Sequence, residues 1–254
     1  MLWLLHGFLG RAADWDEPAR ALAAGGFGTA QRPDLFAPEP GGGEPWPELR
    51  PTWAGPDLPS WGARFAARAA ARGDGRPAVL IGYSLGGRLA LHALLAAPAV
   101  WRAAILVSTH PGLESAAERA ARRGADESWA RRFEAEPWEG LMAAWQAQPV
   151  FGGRGRVLRR TEADFDRTAL AAALGVWSLG TQENLLPRLR TLNLPVLWLA
   201  GDGDETFARL AREGAAALPR GECRLVEGAA HRVPWEAPAA LLACCRTFLN
   251  RLEE

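Results

Sequence analysis

The chain contains no lysine: all 29 of its basic side chains are arginine, set against 29 acidic ones for a formal net charge of zero. Schiff-base lysines, phosphate-loop lysines and lysine general bases are therefore excluded. Hydroxyls are scarce too, with six serines (Ser60, Ser84, Ser108, Ser115, Ser128 and Ser178) and one tyrosine, Tyr83, so hydroxyl chemistry has few candidates. Three cysteines, Cys223 and the adjacent Cys244 and Cys245, form neither an even disulfide framework nor a metal-ligand spacing, which suits a reducing cytoplasm. No stretch approaches the ~18 apolar residues of a membrane span. The apolar start from Met1 to Leu5 lacks the length and basic flank of a secretory signal. Zero net charge gives no support to nucleic-acid binding.

What is present is 254 residues, 48% of them hydrophobic, enough for one large α/β domain or a core with an insertion. Short apolar runs alternate with longer helical patterns, the signature of a parallel sheet covered on both faces. Strands are expected at Leu2–Leu5, Ala78–Gly82, Ala103–Ser108, Val196–Ala200 and Cys223–Val226, and helices at Trp15–Ala24, Leu85–Ala97, Glu205–Ala217 and Ala239–Leu252. Residues 37–60, rich in Pro, Gly and Trp, read as a long loop. Residues 111–190 show no strand but several Arg/Glu/Ala-rich helical patterns. They read as a helical lid inserted into a core made of 1–110 and 191–254.

The chemistry concentrates at Gly82-Tyr83-Ser84-Leu85-Gly86, a G-x-S-x-G pentapeptide directly between a strand and a helix. In that context it is a nucleophile elbow: the turn leaves no room for flanking side chains, and Ser84 is held strained with its hydroxyl exposed. Serine needs a base, and the base an orienting acid, each just beyond a strand's C-terminal end. His231, after the last strand, is the expected base, and Asp204 is favoured over Asp202 as the acid. Developing negative charge would be met by one backbone N–H of the turn Leu4-Leu5-His6-Gly7-Phe8-Leu9-Gly10 after the first strand and by that of Leu85 at a helix N-terminus. His6 is then a structural support for its turn, and His92 a packing or surface residue. Arg88, one turn past Ser84, together with Arg119 and Arg122 on one helix face, suggests a pocket for a carboxylate-rich small molecule.

These motifs resemble the α/β-hydrolase superfamily along the whole chain. Gly82 to Arg88, His110-Pro111-Gly112-Leu113, Glu118-Arg119 with Arg122, Trp129 to Phe133, Glu136-Pro137, Trp145 with Gln148-Pro149-Val150-Phe151, Ser178-Leu179 with Gln182, and Gly201 to Asp204 with Phe207 narrow the likeness. In that order and spacing they resemble the SHCHC synthases of menaquinone biosynthesis. The resemblance implies a lyase eliminating pyruvate from SEPHCHC without metal or organic cofactor, Ser84 acting as base with His231 and Asp204. It further implies that Arg88, Arg122 and either Arg159 or Arg160 bind substrate carboxylates, and that Tyr83, Trp145 and Phe151 shape the pocket. A serine hydrolase acting on a small anionic ester or carbon–carbon bond shares the triad and is the alternative; a non-catalytic binding member of the fold would not need all three groups. Two departures stand out: the first strand begins at residue 2, so the leading strands usual in the superfamily are either missing or lie upstream of this start, and Pro33 to Pro38 with the Pro/Gly/Trp loop replaces the Gly/His loop common in relatives.

Overall fold

The computed structural model describes residues 1–38, 46–151 and 158–252. Strand β1 (Leu2–Leu5) is followed by helix α1 (Asp16–Ala24), the two-residue β2 (Ala30–Gln31), α2 (Leu58–Arg72), β3 (Ala78–Tyr83), α3 (Leu85–Ala96) and β4 (Trp101–Val107). Four helices come next, α4 (Ala116–Ala135), α5 (Trp138–Gln146), α6 (Arg167–Val176) and the short α7 (Leu186–Leu189). The chain then returns to the sheet with β5 (Val196–Gly201), α8 (Glu205–Ala217), β6 (Gly221–Val226), the short α9 (Val233–Glu236) and α10 (Pro238–Asn250).

The sheet has six strands in the order β2-β1-β3-β4-β5-β6, every neighbouring pair parallel. A parallel sheet must be covered on both faces, which is why its central strands are apolar throughout rather than alternating. Period two then sorts them. Trp3, Leu5, Leu80, Leu106 and Trp198 join the cluster with α2 and α3, while Leu2, Leu4, Ile81, Val107 and Leu199 join the one with α10. All strands therefore end on the same edge, and the loops leaving that edge carry Phe8, Ser84, Asp204 and His231.

The expected elements appear with ends within two residues of their sequence positions. Three were not anticipated: α2, β2 and the single-turn α9. The Pro/Gly/Trp stretch does not run unbroken to residue 60: α2 starts at Leu58, its N-terminus capped by the Asp57 side chain accepting from Ser60 N at 2.9 Å, with Pro59 in the first turn where a missing N–H costs nothing. Residues 39–45 of that stretch lie outside the described residues. Strand β2 is two residues long, too short for any periodicity to announce, and exists through its pairing with β1. Between β4 and β5 the described residues form helices and no strand, with α4 packed on α6. No helix among the described residues is long and apolar enough to cross a membrane.

Candidate active site

The elbow is built by steric exclusion. Ser84 adopts φ 53° and ψ −112°, a left-handed conformation that costs energy in any residue with a Cβ, and its N–H is held by Val107 O at 2.9 Å. A Cβ on Gly82 would strike the Gly86 carbonyl, and one on Gly86 would strike the Leu5 carbonyl. The two glycines let β3, α3 and β1 close around the serine. Its hydroxyl lies 3.2 Å from His231 Nε2, and His231 Nδ1 lies 3.3 Å from Asp204 Oδ2. The other oxygen of Asp204 caps α8, accepting from Phe207 N at 3.1 Å, so the carboxylate is aimed by the helix it begins. Asp202 instead points outward and accepts from Gly228 N at 2.9 Å.

His231 is buried and boxed by rings, with Phe207 at 4.4 Å, Tyr83 at 5.8 Å and Phe151 at 6.1 Å between centroids. Burial pushes the Tyr83 phenol above its ordinary pKa, so it stays protonated in the neutral range. Neither the Phe8 nor the Leu85 N–H donates to a protein acceptor among the described residues. Leu85 is the first residue of α3, where no intrahelical acceptor exists. Phe8 is fixed from both sides, by Phe36 below and by Phe133 and Trp145 of the helical segment at 5.3 and 4.8 Å. His6 holds the turn: its Nε2 accepts from Leu35 N at 3.0 Å, which leaves Nδ1 to donate to Gly7 O at 2.9 Å.

Arg88 is buried on the first turn of α3. Its Nε donates to Gln182 Oε1 at 2.8 Å and its Nη2 to Ser178 O at 3.0 Å. Burial, then the neighbouring Arg122, lowers its pKa to about 9, which leaves it charged at neutral pH. Arg122 on α4 bonds the buried Asp126 through Nε. His110 sits in the field of both arginines and, with burial as the main cause, falls to a pKa of about 3; its Nδ1 accepts from Gly112 N. Not every expected arginine points the same way. Arg119 spends Nη1 on the Leu113 and Glu114 carbonyls, each at 2.9 Å. Arg160 forks onto Asp14 at 3.0 and 2.7 Å and lies 6.0 Å from the Trp235 ring, whereas Arg159 is exposed.

Three residues near the site have no counterpart in the sequence reading. Asp126 stands four residues after Arg122, an ion-pair spacing that the sequence does carry. Asp14 has no such signal, being far along the chain from its partner Arg160. Arg232, next to His231, is buried with its guanidinium 3.9 Å from the Phe151 ring centroid, and burial lowers its pKa.

The model of the alpha/beta hydrolase family matches residues 4–243. The chain is 37% identical to the 2-succinyl-6-hydroxy-2,4-cyclohexadiene-1-carboxylate synthase of Klebsiella pneumoniae over 67% of each chain, and 39% identical to that of Serratia proteamaculans over the same shares. Among solved structures it superposes on MenH from S. aureus with a TM-score of 0.87 at 24% identity, covering 100% of this chain and 94% of that one. A thermophilic esterase from Thermogutta terrifontis shares the fold at a TM-score of 0.72 and 21% identity, covering 100% and 90% of the respective chains. The chain belongs to the α/β-hydrolase family, in its group of 2-succinyl-6-hydroxy-2,4-cyclohexadiene-1-carboxylate synthases.

Proposed function

We propose that this protein is a cytoplasmic SHCHC synthase of menaquinone biosynthesis, a lyase that releases pyruvate from SEPHCHC. The reaction is redox-neutral and needs only proton transfer and charge stabilisation. Ser84 takes the proton from a substrate carbon while its own passes to His231 Nε2, and Asp204 holds the imidazolium that results. The electron pair left on carbon is delocalised onto the adjacent carbonyl oxygen, where the Phe8 and Leu85 N–H groups meet the developing charge. Collapse of that enolate forms the new C=C bond and breaks the C–O bond to the enolpyruvyl group. The group departs as the enolate of pyruvate and takes up on carbon the proton held by His231, which gives pyruvate and restores the triad.

The observation that carries this reading is the pair of arginines beside the elbow, Arg88 and Arg122, each anchored through Nε with donors left over for a carboxylate. A simple esterase has no use for two such groups. We take Tyr83, Trp145 and Phe151 as the aromatic walls. Arg160 serves as a third cation, its charge already shared with Asp14, and Arg159 lies further out. The helices of 111–190 act as a lid over the core of 1–110 and 191–254: α4 and α5 supply Phe133 and Trp145 against Phe8. The three free cysteines suit a reducing compartment.

Purified protein incubated with SEPHCHC should release pyruvate in step with loss of substrate. No pyruvate, together with brisk hydrolysis of a simple aryl ester, would overturn the lyase reading in favour of a serine hydrolase.

A further inference from the structure

Helix α4 carries two arginine–carboxylate pairs at the same i,i+4 spacing, and they are built differently. Arg132 closes on Glu136 as a fork, Nε to Oε1 at 2.8 Å and Nη2 to Oε2 at 3.0 Å, on the solvent side. Arg122 gives Asp126 only its Nε, which lies 2.9 Å from each carboxylate oxygen. Both Nη groups of Arg122 make no bond to protein among the described residues, and its side chain is 42% exposed while that of Asp126 is 5% exposed. A buried carboxylate is expensive, and here it is met by Nε alone, which leaves both Nη groups of Arg122 to donate elsewhere.

Asp126 also reaches beyond its own helix. Its Oδ2 accepts the Ser178 hydroxyl at 2.7 Å, the Ser178 Oγ accepts from Gly180 N at 2.9 Å, and the Ser178 carbonyl accepts Arg88 Nη2 at 3.0 Å. One buried carboxylate thus fixes the end of Arg122 and, through Ser178, the backbone that holds Arg88. We propose that Asp126 is a positioning residue that sets the spacing and angle of Arg88 and Arg122 as a two-point clamp for a substrate bearing two carboxylates. The inference rests on the carboxylate-binding reading of the two arginines given above.

Two effects of Asp126 oppose each other, which makes the inference testable. As a charge it weakens anion binding; as a brace it strengthens it by holding the donors in place. Asp126→Asn removes the charge and one charge-assisted acceptor while keeping size and one carbonyl oxygen. If bracing dominates, KM for SEPHCHC and the dissociation constant of succinate, read by calorimetry, both rise by about tenfold or more. Turnover at saturation should change far less, and its pH profile should keep its shape. Succinate binding as tight as wild type, or tighter, would mean Asp126 is only a counter-charge, and the inference fails. Ser178→Ala is the second variant. It leaves the Arg122–Asp126 pair intact and cuts the link to Arg88, so it should raise KM by a smaller factor, and it decides the matter if Asp126→Asn does not fold. Glu136→Gln, at the closed pair, should leave KM unchanged. Wild-type protein that neither binds succinate nor turns over SEPHCHC would instead overturn the carboxylate reading itself.

Discussion

The two ends of the site are made in different ways. At the elbow, position is dictated by backbone: Ser84 is strained because Gly82 and Gly86 admit carbonyl groups where side chains would stand, and Asp204 is aimed because it caps a helix. At the helical end, position is dictated by side chains holding side chains, Arg122 by Asp126 and Arg88 by Gln182 and the Ser178 carbonyl. A backbone-built site tolerates little and signals itself in a contiguous motif. A side-chain-built site can be retuned one residue at a time, which is how one fold can serve both esters and a carboxylate-rich substrate.

The sharpest way to test this contrast is to remove single groups from the backbone-built end. Ser84→Ala should fold normally and lower kcat for pyruvate release by between about a hundredfold and ten-thousandfold, the range of a positioned proton-transfer group. Retention of most of the activity would exclude Ser84 as the base. Asp204→Asn should also be severe, because His231 loses the acceptor that fixes its tautomer. Asp202→Asn alters only an exposed bond to Gly228 N and should stay within about 0.5 kcal/mol of wild type in stability, with unchanged turnover.

The same contrast explains what could be read from the sequence. Strands β1, β3, β4, β5 and β6 and the elbow are encoded by neighbouring residues, apolar runs and G-x-S-x-G, so local pattern suffices. The start of helix α2 was hidden because its cap, Asp57, and its first-turn Pro59 belong to a stretch whose composition imitates a loop. Strand β2 has no pattern of its own. At the helical end the sequence offers arginines in abundance but not their partners. Arg119 and Arg122 share a helix face, yet one is consumed by the Leu113 and Glu114 carbonyls and the other is left open by Asp126. Arg160 meets Asp14 across a separation of 146 residues, which no local pattern encodes.

A smaller effect separates those two arginines. Arg122→Ala should raise KM for SEPHCHC by roughly ten- to a hundredfold, the worth of charge-assisted bonds to a carboxylate, with a lesser change in kcat. Arg119→Ala removes a clamp on the turn before α4 and should cost a little thermal stability with KM nearly constant. Equal KM values for wild type and Arg122→Ala would take Arg122 out of the binding site and leave Arg88 as the principal anion contact.

The last test concerns stability, and it probes α3 one turn past Arg88. His92 is buried with its Nε2 unpaired, and burial, followed by the charges of Arg88 and Arg188, lowers its pKa to about 3. In the unfolded chain the same imidazole titrates near its ordinary value of 6.5. Between these values the unfolded state binds a proton that the folded state refuses, so stability falls as pH drops below about 6.5 and the loss is complete only below the folded pKa. At pH 5 this one group costs about 2 kcal/mol relative to pH 7. His110, also lowered to about 3 by burial and then by the charge of Arg88, acts in the same direction. Urea unfolding of wild type and His92→Leu at pH 7 and pH 5 should therefore show wild type losing about 2 kcal/mol more than the variant on going to acid. Identical losses in the two proteins would mean that His92 takes up its proton without unfolding, and that the buried face of α3 admits a charge beside Arg88.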